Sequence, residues 1–169
     1  MSTPSHVATG YLLANACMAW GYLPPDPSGT TTWIGILASV APDFDILAIR
    51  KIHDHRVNSL LHYPLTWIVA SVLSLFSARI IGIAWLVPYI LLVLASVLIH
   101  FLMDTLGVNA GICWLAPFRI KEFSFFRIKY HHLKNIKEVP LYFLAYLKHP
   151  VMVLELLLCV GVLSKIIRR

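Results

Sequence analysis

His100 and Asp104 lie four residues apart at the end of a long apolar run. On a helix this spacing places both side chains on one face, with Cβ atoms roughly 5–6 Å apart. An imidazole and a carboxylate this close suit one divalent ion, and a carboxylate in an apolar helix is costly unless a cation or hydrogen bonds satisfy it. The pair therefore indicates a metal site. The simpler alternative is that Asp104 ends the helix while His100 makes an ordinary hydrogen bond.

Further candidate ligands precede this pair in the chain. Pro42 breaks an apolar segment and is followed by Asp43 and Asp45. One carboxylate is enough to cap a new helix, so capping and metal ligation are both open for these two. His55 and His62 are seven residues apart, which places them on one stripe of a helix that begins near His55. Both can then face the same ion or pair of ions.

Other polar residues allow more than one interpretation. Arg56 suits a phosphate or acidic ligand through its planar fork, and it equally suits an anchor among lipid headgroups. Of His131 and His132, at most one would face a site, because adjacent residues on a helix point apart. His6 stands at the start of the first apolar segment, where a polar residue is unremarkable by itself.

The composition places these residues in a membrane protein. The 169-residue chain is 59% hydrophobic and 13% charged, which is too apolar for an ordinary soluble domain. We expect a single domain over residues 1–169. Its predicted fold is an all-α integral membrane bundle of about four to five helices, with the polar site at one membrane face. The first apolar segment predicts a helix from His6 to about Tyr22. It lacks the basic flank of a cleaved signal, so we expect it in the mature protein.

The segment that precedes the first candidate pair predicts a helical hairpin. Residues 65–76 and 80–103 are the most apolar, and residues 77–79 join them. Because a hairpin returns the chain to the membrane face where it started, it would bring the region of residues 55–62 close to His100 and Asp104. Two sets of candidate ligands that are distant in sequence would then be neighbours.

The net charge of +6 indicates a membrane surface as the partner. Basic residues that flank spans are favoured by anionic headgroups and by the positive-inside bias. We therefore expect membrane lipids as partners and no nucleic acid, since basic residues alone are weak evidence for the latter. The three cysteines are far apart and indicate neither disulfides nor a thiolate zinc site. The basic residues in question are Arg119, Lys121, Arg127, Lys129, Lys134, Lys137, Lys165, Arg168 and Arg169.

The ordered set of polar residues resembles the membrane-bound metal-dependent hydrolases of the YdjM type, over about residues 5–125. Their order and spacing are also similar to those of zinc-dependent phospholipase C and P1-type nucleases. The resemblance implies a bacterial inner-membrane protein, one or two bound zinc ions, and hydrolysis of a phosphoester. The residues that carry it are His6, Pro42-Asp43-Phe44-Asp45, His55-Arg56 with Ser59 and His62, His100 with Asp104, and Gly111 with Ala116-Pro117-Phe118.

Carried over to this chain, the resemblance implies metal ligands among His6, Asp43, Asp45, His55, His62, His100 and Asp104. The family usually has a tighter histidine spacing, so His55 and His62 stay alternatives. Independently of the family, mixed His and Asp ligands suit zinc, manganese or iron, and zinc is the commonest hydrolytic choice. A carboxylate that does not bind metal, either Asp43 or Asp45, would act as general base. Arg56 would stabilise developing charge, and the substrate would be a phosphoester, such as a lipid headgroup.

Two other classes of function are open. A non-enzymatic membrane protein would use the metal to hold its helices together, and structural zinc is usually closed by four protein ligands. A transporter would line an ion path with Asp and His side chains. The span interiors over residues 65–76 and 80–97 contain no acidic residue, which argues against the transporter.

Overall fold

The computed structural model describes residues 2–47, 59–107, 111–125 and 146–167. Within these ranges the chain is helical, and its only β feature is an isolated antiparallel bridge between Ile112 and Phe123. The all-α prediction is therefore confirmed, as is the expected number of helices. The α-helices are α1 (Thr3–Ala19), α2 (Thr30–Val40), α3 (Pro64–Ile81), α4 (Val87–Leu106) and α5 (Pro150–Ile167). In the described ranges three 3-10 helices accompany them, at Ala41–Leu47, Leu60–His62 and Ala84–Leu86.

Three of these helical segments are long and apolar enough to cross a membrane. They are Pro64–Ile81, Ala84–Leu106 and Pro150–Ile167. A span needs about 20 predominantly apolar residues, with a range of about 17–25, and each of these segments falls within that range. The first two form the predicted hairpin, because α3 and α4 pack against each other along the chain.

Two helix ends differ from the sequence-based expectation, and glycine explains both. The hairpin junction was expected at residues 77–79, but α3 continues to Ile81 and ends at Gly82, whose φ is +79°. The first helix was expected to reach Tyr22, but it ends at Ala19, just before Gly21 with φ +76°. Glycine adopts this left-handed conformation without a Cβ penalty, so it ends a helix more effectively than Ser77, Ala78 or Arg79 does.

Helices α1 and α2 approach each other closely through two glycines. A Cβ added to Gly10 would lie 2.4 Å from the carbonyl oxygen of Gly35, and one added to Gly35 would lie 2.6 Å from that of Gly10. Small residues at such crossings let helix backbones come close in a membrane. Helix α4 in turn packs on α1, α2 and α3, so the end of α4 that carries His100 and Asp104 lies among the other helices.

Helix α5 docks on α1 through a carboxylate. Glu155 is only 5% exposed, and it accepts hydrogen bonds from the backbone N–H of Ser2 at 2.8 Å and from the Ser2 hydroxyl at 2.6 Å. The hydroxyl of Tyr146 donates to the same carboxylate. Glu155 therefore faces the helix bundle.

Candidate metal centre

Three segments of the chain supply the side chains of the polar site. Local sequence features, such as a proline or a capping serine, set where these segments begin or end. Pro42 follows the end of α2, and the 3-10 helix Ala41–Leu47 carries Asp43 and Asp45. The hydroxyl of Ser59 accepts from the N–H of Leu61 and caps the short 3-10 helix Leu60–His62. His62 therefore stands just before the span that begins at Pro64. The last two turns of α4 supply the remaining members of the site.

Four side chains converge on one point. Asp43, His62, His100 and Asp104 each offer a ligand atom, and these atoms all lie within 4.8 Å of one another. The Nε2 atom of His100 lies 3.5 Å from Asp104 Oδ2 and 3.7 Å from Asp43 Oδ1. The Nε2 atom of His62 lies 3.7 Å from Asp43 Oδ1 and 4.0 Å from Asp104 Oδ2. Ligands of a tetrahedral zinc ion lie about 2.0–2.1 Å from the metal, hence roughly 3.3 Å apart. These four distances are each longer than that value, by less than about 1 Å.

His62 and His100 each make a polar contact through Nδ1, the ring nitrogen that faces away from the cluster. His100 Nδ1 donates to the backbone carbonyl of Ser39 at 2.8 Å. His62 Nδ1 lies 2.7 Å from the carboxylate of Asp45. A carbonyl or carboxylate at Nδ1 fixes the tautomer, so that the lone pair of a neutral ring lies on Nε2. His100 Nε2 is buried and has no hydrogen-bond partner among the described residues, so its lone pair is available to bind a metal ion.

His6 lies beside this cluster. Its ring stacks on that of His100, with centroids 4.0 Å apart and an interplanar angle of 26°. Its Nε2 atom comes within 3.3 Å of Asp104 Oδ1, without the geometry of a hydrogen bond. Burial lowers the pKa of His6, and the contact with Asp104 acts in the opposite direction. A lowered pKa favours the neutral imidazole, which is the form that binds metals.

The cluster is buried except at one member. The side chains of His62, His100 and Asp104 have no exposed surface, whereas that of Asp43 is 17% exposed. The opening towards solvent therefore lies at Asp43. The arrangement of two imidazoles and two carboxylates, with no thiolate, can hold a divalent ion of the zinc, manganese or iron type.

The structure brings together six of the residues singled out from the sequence. These are His6, Asp43, Asp45, His62, His100 and Asp104. His55 and Arg56, like His131 and His132, lie outside the described residues, so their assignments stay predictions. Sequence reasoning missed Ser39, which acts through its backbone carbonyl. No side-chain pattern could have indicated a contact of that kind.

The comparison with protein families bears on this site. The sequence model of the family described as YdjM inner membrane protein matches residues 1–168. The chain belongs to the YdjM family. No curated protein and no solved structure matches it. The YdjM assignment and the three apolar helices together make the chain an integral inner membrane protein. The resemblance to the YdjM type and the predicted location are thus confirmed, and this YdjM-family chain carries a His and Asp cluster that can hold a metal ion.

Proposed function

We propose that the chain is a membrane-bound, metal-dependent hydrolase that acts on a phosphoester. The observation that carries this proposal is the buried cluster of Asp43, His62, His100 and Asp104, in which both histidines are oriented by partners behind the ring. Partners of this kind are typical of working metal sites, since they fix the ring and raise its basicity as a ligand. Burying two carboxylates beside two imidazoles is otherwise costly.

In this proposal His62, His100 and Asp104 would hold one zinc ion and Asp43 would be the general base beside it, since a catalytic zinc site keeps one position open. His6 is the candidate ligand for a second ion. A divalent metal supplies activation of water at neutral pH and polarises a phosphoryl oxygen. Asp104 lies beside both histidines, with Oδ2 at 3.5 Å from His100 Nε2 and Oδ1 at 3.3 Å from His6 Nε2, so either oxygen would be available to a metal ion. The metal's identity and number belong to the proposal.

The contacts favour a revised role for Asp45. Its carboxylate bonds to His62 Nδ1, on the side of the ring away from the cluster, so we assign it as a positioning residue in place of the general base. Asp43 is the carboxylate with access to solvent, and it is the group best placed to touch a substrate and accept a proton. The proposed stabilisation of charge by Arg56 stays a prediction.

The position of the cluster along the spans favours a substrate at the membrane surface. His62 precedes the span Pro64–Ile81 by two residues, and Asp104 lies near the end of the span Ala84–Leu106. The cluster thus stands at the ends of two spans rather than at their middles. We propose a lipid-borne phosphoester as the substrate, with membrane lipids as the surrounding partners.

One observation favours a second candidate function. Four protein donors are the full set of a closed tetrahedral zinc site, which is the usual form of structural zinc. The metal would then hold the end of α4 to the segments that carry Asp43 and His62, without catalysis. A transporter has less support, because the His and Asp side chains of the cluster gather at one end of the spans Pro64–Ile81 and Ala84–Leu106.

The test compares purified wild type with His100→Ala and Asp104→Ala, and with His149→Ala as a histidine control outside the cluster. Elemental mass spectrometry measures zinc, manganese and iron, thermal melting reports folding, and phospholipids and phosphodiesters serve as substrates. We expect near-stoichiometric metal and hydrolysis in the wild type and the control. Both should be lost in the two cluster variants, which still melt cooperatively.

Two results would decide against the proposal. Wild type that carries no metal, when purified without chelators, would overturn the metal site itself. Stoichiometric metal without hydrolysis of any phosphoester, together with unfolding of both cluster variants, would instead support structural zinc.

A further inference from the structure

A cavity of about 480 Å³ lies on the other side of α4 from the metal centre. It is formed by the end of α4 and by residues 111–125, which follow that helix. Helix geometry turns 100° per residue, so Leu102, which lines the cavity, points about 200° away from His100. Phe101 and Trp114 stand between the two sites. The centroids of their rings are 6.4 Å apart, and the centroid of the Phe101 ring is 5.6 Å from that of His100. The cavity is therefore a separate site.

The walls of this cavity are held in place by hydrogen bonds. Ile112 and Phe123 exchange backbone hydrogen bonds of 3.0 Å, which close residues 112–123 into a loop. The N–H of Phe125 donates to the carbonyl of Thr105 at 2.9 Å, and the indole of Trp114 donates to the Thr105 hydroxyl at 2.9 Å. The loop is thus fastened to the last turn of α4, and the cavity exists without a ligand to shape it.

The lining has an apolar part and a cationic part. Leu102, Leu115, Phe123 and Phe125 contribute apolar surface, while Arg119 and Lys121 contribute positive charge at the same cavity. One carboxylate, that of Glu122, also lines it, so the formal charge of the lining is positive. A ligand that satisfies both parts carries a negative group on a hydrocarbon body.

The location of the cavity identifies the source of such a ligand. Leu102 belongs to the span Ala84–Leu106 and is 53% exposed, so the apolar part opens on the hydrocarbon of the bilayer. Arg119 and Lys121 follow that span in sequence and line the same cavity, so we expect them near the headgroups. Basic side chains at this level attract anionic lipids. We propose that this cavity binds an anionic glycerophospholipid from the surrounding membrane, with an acyl chain on the apolar lining and the phosphate at Arg119 and Lys121.

The test measures lipid retention by native mass spectrometry on the full chain. The probes are phosphatidylglycerol and phosphatidylcholine with identical acyl chains, and glycerol phosphate as the headgroup without chains. The variants are the pair Arg119→Gln with Lys121→Gln, and Leu115→Asn in the apolar lining. The matched control is the pair Lys148→Gln with Lys165→Gln, which removes two positive charges elsewhere. Thermal melting and zinc content confirm that each variant keeps its fold and its metal centre.

We expect the wild type and the control pair to retain phosphatidylglycerol in preference to phosphatidylcholine. The Arg119 and Lys121 pair should weaken phosphatidylglycerol binding by roughly 10–30-fold, as expected for two basic residues near an anionic surface, and Leu115→Asn should weaken both lipids. Equal losses in the control pair would overturn the proposal, because they would indicate attraction by overall charge. Glycerol phosphate that binds as well as the lipid would also overturn it. Neither result depends on whether the metal centre is catalytic.

Discussion

Asp45 Oδ2 lies 2.7 Å from His62 Nδ1, on the opposite side of the ring from the Nε2 atom that faces Asp43 and Asp104. The two residues are 17 positions apart in sequence, and both are buried. The contact makes a carboxylate, a histidine and the metal cluster into one connected unit. The contribution of the contact between Asp45 and His62 should therefore be measurable as a change in metal affinity.

Removing the Asp45 carboxylate should weaken metal binding. We expect Asp45→Ala to lower zinc affinity by about 10–100-fold, as for other partners that orient a ligand histidine. Asp45→Asn should lower zinc affinity less than Asp45→Ala does, because its amide oxygen can still accept a hydrogen bond from His62 Nδ1. Competition with a chelating dye measures both, and Asp26→Ala is the control carboxylate. Loss of hydrolysis in Asp45→Asn at unchanged zinc affinity would instead assign Asp45 to proton transfer.

Chelation of the metal should destabilise the fold. An ion that binds only the folded state adds about 4 kcal/mol when its free concentration is a thousand times its Kd. We expect EDTA to lower the Tm of the wild type and added zinc to restore it. Asp104→Ala should melt at the same temperature with and without EDTA. A wild-type Tm that does not respond to chelation would contradict a buried metal at this cluster.

The contact of α1 with α2 should not tolerate a methyl group. A Cβ at Gly10 would meet both the Gly35 carbonyl oxygen and the Ser39 hydroxyl at 2.4 Å. Overpacking of this kind costs about 1–3 kcal/mol, and it would shift Ser39, whose carbonyl holds His100. We expect Gly10→Ala to lower both the Tm and the zinc affinity.

Gly161 provides the matched control for that substitution. It lies inside α5, and an added Cβ there would meet none of the described residues within 4 Å. Gly161→Ala should leave the Tm unchanged or raise it slightly, since alanine favours a helix. Equal effects of the two substitutions on the Tm would contradict the close packing of α1 on α2.

The carboxylate of Glu155 should contribute to the docking of α5. Interhelical polar contacts are a main source of helix association in a membrane, where apolar faces gain little from meeting. We expect Glu155→Ala to destabilise the fold by about 1–3 kcal/mol, because it leaves half-buried donors of Ser2 and Tyr146 without this acceptor. Glu155→Gln should destabilise the fold less than Glu155→Ala does, because its amide oxygen can still accept a hydrogen bond. Leu156→Ala, at a position 56% exposed, is the control, and an equal loss of Tm there would contradict the assignment.

Asp26 should contribute to stability in a manner that depends on pH. A hydrogen bond from the Ser28 hydroxyl and another from the N–H of Thr31 lower the pKa of Asp26. Because the folded-state pKa is lowered, the contribution is complete above the unfolded pKa of about 3.9 and is lost as pH falls through the folded-state pKa. The Tm difference between wild type and Asp26→Asn should therefore narrow as pH falls below about 4. A difference that is constant with pH would contradict these bonds.

The pattern of consecutive residues was enough to predict much of the fold and part of the candidate metal site. Apolar runs of span length and a helical hairpin are properties of consecutive residues, so composition and spacing predict them. The i, i+4 spacing of His100 and Asp104 is likewise local, and the hairpin then places His62 near them. The helix ends were less well predicted, because Gly21 and Gly82 compete with polar residues as the place where a helix stops.

The sequence by itself determined the class of protein, the spans and the residue types available for a metal. Tertiary structure decided which of them meet and what each one touches. Asp43 and Asp45 are two residues apart and chemically alike, yet one faces the cluster and the other lies behind His62. The Ser39 carbonyl holds His100 across 61 positions. Such roles depend on where helices cross and which way a ring turns, and no local periodicity specifies either.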